Sequence, residues 1–85
     1  MSARIRLARY GRKKHPVYRI VVVDSRKPRE TKPIDYLGTY DPILKTVQNL
    51  DIEKAKEWIK KGALPSERAL KVLKQHGLEE SVETY

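Results

Sequence analysis

The sequence has no cysteine. Disulfides therefore cannot supplement the core, thiolate zinc sites are excluded, and nothing points to an oxidising compartment. Long apolar runs are also missing. The longest, Ile20 to Val23, falls far short of the roughly 20 residues that span a bilayer and of a signal-peptide segment, so an intracellular, soluble protein is expected. There is no glycine-rich phosphate cradle, no HExxH and no nucleophile motif. Asp24, Asp35, Asp41 and Asp51 are scattered, and His15 and His76 lie far apart, so no enzyme is expected. A metal-dependent nuclease built on convergent aspartates is the one catalytic reading left to test. No repeat, low-complexity tract or composition break divides the chain.

What remains is one small domain. A chain of 85 residues buries only about 60 to 65 per cent of the surface its unfolded form exposes. Apolar residues make up 39% and charged residues 35%, a globular composition with an unusual charge load. That charge is segregated. From Met1 to Pro33 eleven Lys and Arg face only Asp24 and Glu30, a balance of +9, whereas from Ile34 to Tyr85 eight basic residues face nine acidic ones. The whole positive excess therefore lies in the first two-fifths of the chain. This is the electrostatic footprint of a polyanion binder.

Local patterns distribute these charges over structure. Arg4 to Tyr10 alternates, with Ile5 and Leu7 on one face and Arg4, Arg6 and Ala8 on the other, as a strand requires. Gly11 to Pro16 reads as a basic hairpin loop carrying Arg12, Lys13, Lys14 and His15. Val17 to Asp24, β-branched and apolar on both faces, reads as the central strand. Ser25 to Pro33 is a second basic loop with Arg26, Lys27, Arg29 and Lys32. Ile34 to Tyr40 resumes strand character, with Ile34, Tyr36 and Tyr40 on one side and Leu37 on the other. Gly38 marks a bulge or a close backbone approach.

After the poorly specified stretch Ile43 to Asn49, the period changes. Asp51 is an N-cap acceptor for a helix whose Ile52, Ala55, Trp58 and Ile59 share a face, with Gly62 just past its end. Pro65-Ser66 opens a second helix with Ala69, Leu70, Val72 and Leu73 inward and Gly77 as its stop. Leu78 to Tyr85 is an acidic tail expected to be flexible, which leaves 1–77 as the domain. Strands first and helices later predict an α+β fold, with a mostly antiparallel sheet of four to five strands packed against two C-terminal helices.

A hairpin of the first two strands would spread the cations along the sheet, suiting phosphates dispersed over an RNA groove or helix junction rather than the reading of single bases. Arginine dominates the strand, and its planar fork binds phosphate bidentately and stacks on bases. Tyr18, following the basic loop, is the tyrosine most suited to touching RNA. A free-standing binder of transcripts or DNA is the second reading, although the two helices carry little of the net charge.

Taken in order, three segments resemble the bacterial and organellar small-subunit ribosomal protein family number sixteen. They are Arg4-Ile-Arg-Leu-Ala-Arg-Tyr-Gly11, Lys14-His-Pro-Val-Tyr-Arg-Ile-Val-Val-Val-Asp-Ser-Arg26 and Leu37-Gly-Thr-Tyr-Asp-Pro42. Leu50-Asp-Ile-Glu53, Trp58, Gly62-Ala63, Pro65-Ser66 and Gly77 extend the likeness over most of the chain. The resemblance implies an α+β protein of the cytoplasmic ribosome that binds the 5′ domain of small-subunit ribosomal RNA and assists subunit assembly. It implies RNA contacts at Arg4, Arg6, Arg9, Gly11, Lys13, Lys14, Pro16, Tyr18, Ser25, Arg26 and Arg29, to which the charge pattern adds Arg12, His15 and Lys32. Neighbouring small-subunit proteins are its other expected partners. No cofactor beyond RNA-bound magnesium, no membrane and no small-molecule substrate is expected, and the protein away from the ribosome is expected to be a monomer. Where the family has Arg-Asp-Gly, this chain has Arg29-Glu30-Thr31.

Overall fold

A computed structural model describes residues 3–27 and 32–85, and of Arg12 the backbone only. Strand β1 (Ala3–Arg12) pairs antiparallel with β2 (His15–Asp24) along its whole length, from Ala3 opposite Asp24 to Arg12 opposite His15. The ladder takes in Gly11–Pro16 and Arg12–His15, so the expected six-residue loop shrinks to a turn at Lys13 and Lys14. Strands β3 (Asp35–Asp41), β4 (Thr46–Gln48) and β5 (Leu64–Pro65) complete a sheet ordered β4-β3-β2-β1-β5. Every pairing is antiparallel except that of β5, which runs parallel to the start of β1. As predicted, β2 is central and the fold is α+β. Pro65 is a correction: it belongs to β5 rather than to the second helix.

Helices α1 (Ile52–Lys60) and α2 (Glu67–Gln75) cover one face of the sheet. Each begins with a side-chain cap: Asp51 accepts from the Lys54 N–H at 3.0 Å, and Ser66 from the Ala69 N–H at 3.1 Å. Both end alike. Gly62 and Gly77 adopt φ of +105° and +123°, and the next residue's N–H reaches back to a helix carbonyl, Ala63 to Trp58 at 3.0 Å and Leu78 to Leu73 at 2.9 Å. These left-handed terminations turn Ala63 and Leu78 into the core, where both are buried. Leu78, assigned from sequence to the tail, is thus a core residue. Farther along the same segment Val82 packs against the core, and the Tyr85 N–H donates to the Pro65 carbonyl at 3.2 Å.

The core lies between the helices and the alternate residues Ala3, Ile5, Ile20 and Val22, joined by Leu37, Ala55, Ala69 and Leu73. Full burial of each large aliphatic side chain contributes about 1.5 to 3 kcal/mol. One irregularity in β3 decides which of its side chains join them. Gly38 stands opposite Ile20 and Tyr36 opposite Val21, leaving Leu37 as an extra residue in the ladder. The bulge reverses the alternation, so Tyr40 packs on the core side while Tyr36 faces the other way, not together as the sequence suggested. Of the two roles expected at Gly38, the close approach falls on Gly38 itself, where a Cβ would lie 2.8 Å from the Leu50 Cα, and the bulge on its neighbour Leu37. The Asp51 N–H bonds the Leu37 carbonyl at 2.8 Å, tying the bulge to the start of α1.

Candidate nucleic-acid interface

Opposite each core pair of the β1–β2 hairpin is a pair facing away from the helices. Arg4 stands across from Val23, Arg6 from Val21, Ala8 from Arg19 and Tyr10 from Val17. Arg4 and Arg19 are exposed and Arg6 is partly buried. The Arg4 guanidinium lies 4.5 Å from the centre of the Tyr85 ring. That of Arg19 lies 4.3 Å from Tyr10 and 5.7 Å from Tyr36, both diagonal neighbours on the ladder. Cation–π contact of this kind holds a guanidinium plane in place without consuming its charge.

Arg19 is absent from the residues picked out by sequence. It escaped because β2 is apolar on both faces around it, yet its odd-numbered position, out of step with Ile20 and Val22, is the signal that puts it beside Arg4 and Arg6. Arg9 moves the other way. It pairs with Tyr18 on the helix side of the sheet, and the Tyr18 ring lies 5.4 Å from the guanidinium of Arg68 in α2. The arginines of β1 therefore do not form a single row. Arg4, Arg6 and Arg19 share the open face, while Arg9, Tyr18 and Arg68 gather near the hairpin end of the helix face.

The remaining candidates sit at the two ends of the hairpin. At one end Lys13, Lys14 and His15 are exposed, flanked by Gly11 and the half-buried Pro16. At the other are half-buried Ser25 and exposed Arg26 and Lys27, with Lys32 also exposed. Ten residues of strand, about 33 Å, separate the ends. Arg29 and the Arg12 side chain lie outside the described residues, as does the Arg29-Glu30-Thr31 variation.

Among the described residues, an aspartate shapes each end. Asp24 accepts from the Arg26 N–H at 2.9 Å and from its guanidinium at 3.3 Å, and these bonds hold the carboxyl below its ordinary value. Asp41 lies 2.7 Å from His15 Nε2 and accepts from the Ile43 and Leu44 N–H groups at 2.9 and 3.1 Å. The His15 bond is the main reason its carboxyl is also depressed. Asp35 sits between sheet and helix. Burial alone would raise its carboxyl, but donation from Trp58 Nε1 at 3.1 Å and Lys54 Nζ at 3.0 Å outweighs burial and lowers it. With Asp51 capping α1, every aspartate has a structural partner and the four do not converge. Among the described residues no group of three or more His, Asp or Glu is placed to hold a metal ion. Among those residues, too, no helix is long and apolar enough to cross a membrane.

Comparison with known proteins gives a consistent picture. The sequence profile of the family described as ribosomal protein S16 matches residues 9–66. A small ribosomal subunit protein bS16 from Aquifex aeolicus (strain VF5) is 56% identical over 78 residues, covering 92% of this chain and 70% of that protein. One from Thermosipho africanus (strain TCF52B) is 51% identical over 81 residues, or 94% and 86% of the two chains. One from Thermoanaerobacter sp. (strain X514) is 48% identical over 79 residues, 92% of each.

Proposed function

The chain belongs to the ribosomal protein S16 family, and from that premise we propose that it binds the 5′ domain of small-subunit ribosomal RNA and assists subunit assembly. Membership makes it a structural, non-enzymatic component of the small ribosomal subunit, associated with ribosomal RNA and ribosomal proteins in the cytoplasm. The observation that carries the finer reading is the placement of cations. Arg4, Arg6 and Arg19 line the open sheet face, and Lys13-Lys14 and Arg26-Lys27 mark the two ends of the same hairpin.

Charges spread over about 33 Å match phosphates of more than one RNA helix better than a single anionic group. Neutralising them lowers the repulsion between adjacent RNA helices, and the stiff ten-residue ladder fixes the spacing at which they are held. The contacts include Arg9, Tyr18, Gly11, Pro16, His15, Ser25 and Lys32 in this reading, together with Arg12 and Arg29. The protein acts as a monomer until it joins the RNA. Its affinity for a 5′-domain transcript should fall with salt at a log–log slope of roughly −4 to −5 if about six phosphates are engaged. A slope near zero would remove the electrostatic mechanism. Release from ribosomes in low-salt, magnesium-containing buffer would instead favour a free-standing nucleic-acid binder.

A further inference from the structure

On the open face, beyond the arginine row, lies a pocket of a different scale. It is a shallow cavity of about 370 Å³ lined by Arg19, Tyr36, Gly38, Thr39 and Asn49. This volume falls in the range of roughly 300 to 1,000 Å³ typical of sites for single small molecules. We propose that the pocket receives one unpaired nucleotide of the bound RNA, with its base stacked on Tyr36 and Arg19 and its edge held by Asn49 and Thr39. The inference rests on the RNA-binding reading above and deepens it, since spread phosphates alone call for no base-sized contact.

Three features of the lining support it. First, the Leu37 bulge turns Tyr36 to this face, where the side chain is 42% exposed and stands within reach of the Arg19 guanidinium. A ring and a guanidinium plane are the two side-chain surfaces on which bases stack without regard to sequence. Second, the stretch that carries Asn49 leaves β4 with Asn49 at φ +56°, an uncommon left-handed backbone for a residue other than glycine. Its carboxamide presents a donor and an acceptor side by side, the pair that matches the N6 and N7 positions of adenine. Third, Thr39 stands directly across from Arg19 on the ladder, adding a hydroxyl able to donate or accept. Arg4 and Arg6 on the same face supply the positive field that brings phosphates near.

The test compares two footprints on one complex of the full chain with a 5′-domain rRNA transcript. Hydroxyl-radical cleavage reports backbone contact, and base-selective methylation reports access to base edges. The wild-type protein should protect backbone segments and also the edge of at least one unpaired base. Asn49→Gly keeps the left-handed backbone while removing the carboxamide, and Tyr36→Leu keeps bulk while removing the ring. Each should expose that base, leave the backbone footprint in place and weaken binding about 5- to 100-fold. Tyr36→Phe should restore protection. Arg19→Lys should weaken binding without changing the salt slope, because charge is kept and the stacking plane is lost.

If backbone protection persists but no base protection responds to these variants, the nucleotide site is overturned while RNA binding stands. An absence of any wild-type footprint overturns RNA binding and the site together. Thermal midpoints of the variants identify any loss of protection that comes from unfolding. If Asn49→Gly proves unstable, Tyr36→Leu against Tyr36→Phe decides the matter alone.

Discussion

The two faces of the sheet are built from the same strands and differ by one residue of register, yet they obey different constraints. On the helix side, Ile5, Ile20, Val22 and Leu37 are almost wholly removed from water, and their neighbours leave little room for change. On the open side Arg19 lies against Tyr10 and Tyr36 across the ladder and Arg4 against Tyr85, and water reaches most of these side chains. The buried aliphatic core is concentrated on the first face, and the proposed RNA contacts of Arg4, Arg6 and Arg19 lie on the second. A two-residue period lets a small domain with a thin core carry both without either compromising the other.

The largest test of this division is a cavity on the helix side. Ile20→Ala should lower unfolding free energy by about 2 to 5 kcal/mol in denaturant titration. Its RNA affinity, measured where the protein is still folded, should be unchanged; a specific loss of binding would show that the faces are coupled. Gly38→Ala is next, because the added Cβ meets the Leu50 backbone at 2.8 Å rather than a movable side-chain end. A destabilisation of about 1 to 3 kcal/mol is expected, with a loss of order in the Tyr36 pocket detectable by tyrosine fluorescence.

A smaller effect, of about 1 kcal/mol, is expected for Asp35→Asn, which removes the charge facing Lys54. The sign of its pH dependence follows from the depressed carboxyl. Ionised Asp35 stabilises the fold above the ordinary carboxylate value of 3.8, and that contribution disappears as pH falls through the lower folded value. The stability gap between wild type and Asp35→Asn should therefore close on acidification. A gap that widens would contradict the arrangement at Trp58 and Lys54.

The smallest stability effect belongs to the open face. Arg4→Ala should alter unfolding by no more than about 0.5 kcal/mol, while reducing the salt slope of RNA binding by about one. Arg6→Ala is expected to cost more stability, since Arg6 is partly buried. The two single variants separate what an arginine contributes to packing from what it contributes to RNA.

Much of the helix side was legible because burial repeats with the period of the element. Ile5 and Leu7 in β1, Ala55 and Ile59 in α1, and Ala69 and Leu73 in α2 each recur at the spacing that puts them on one face. Asp51 and Gly62 announced the ends of α1 by their own local chemistry. On the open face, alternation placed Arg4 and Arg6 together, and charge segregation pointed to a polyanion. Arg9 was drawn into that group by its charge although its parity belongs to the other side. Arg19 was passed over because neighbouring valines hid its parity.

By itself the sequence determined the strand and helix periods, the capping of both helices, the central place of β2 and the concentration of positive charge in the first two-fifths of the chain. These depend on residues close together along the chain, so local sterics and periodicity are enough to specify them. Only the tertiary structure decided that Leu37 bulges, that Tyr36 and Tyr40 part company, and that Leu64-Pro65 closes the sheet beside β1. It also decided that Asp35 joins Trp58 and Lys54 across more than a dozen residues, and that Arg19, Tyr36 and Asn49 line one pocket. Apart from the bulge, which Gly38 hinted at locally, these are meetings of segments distant in sequence, set by how the helices and the sheet share a limited interior, and no local pattern encodes them.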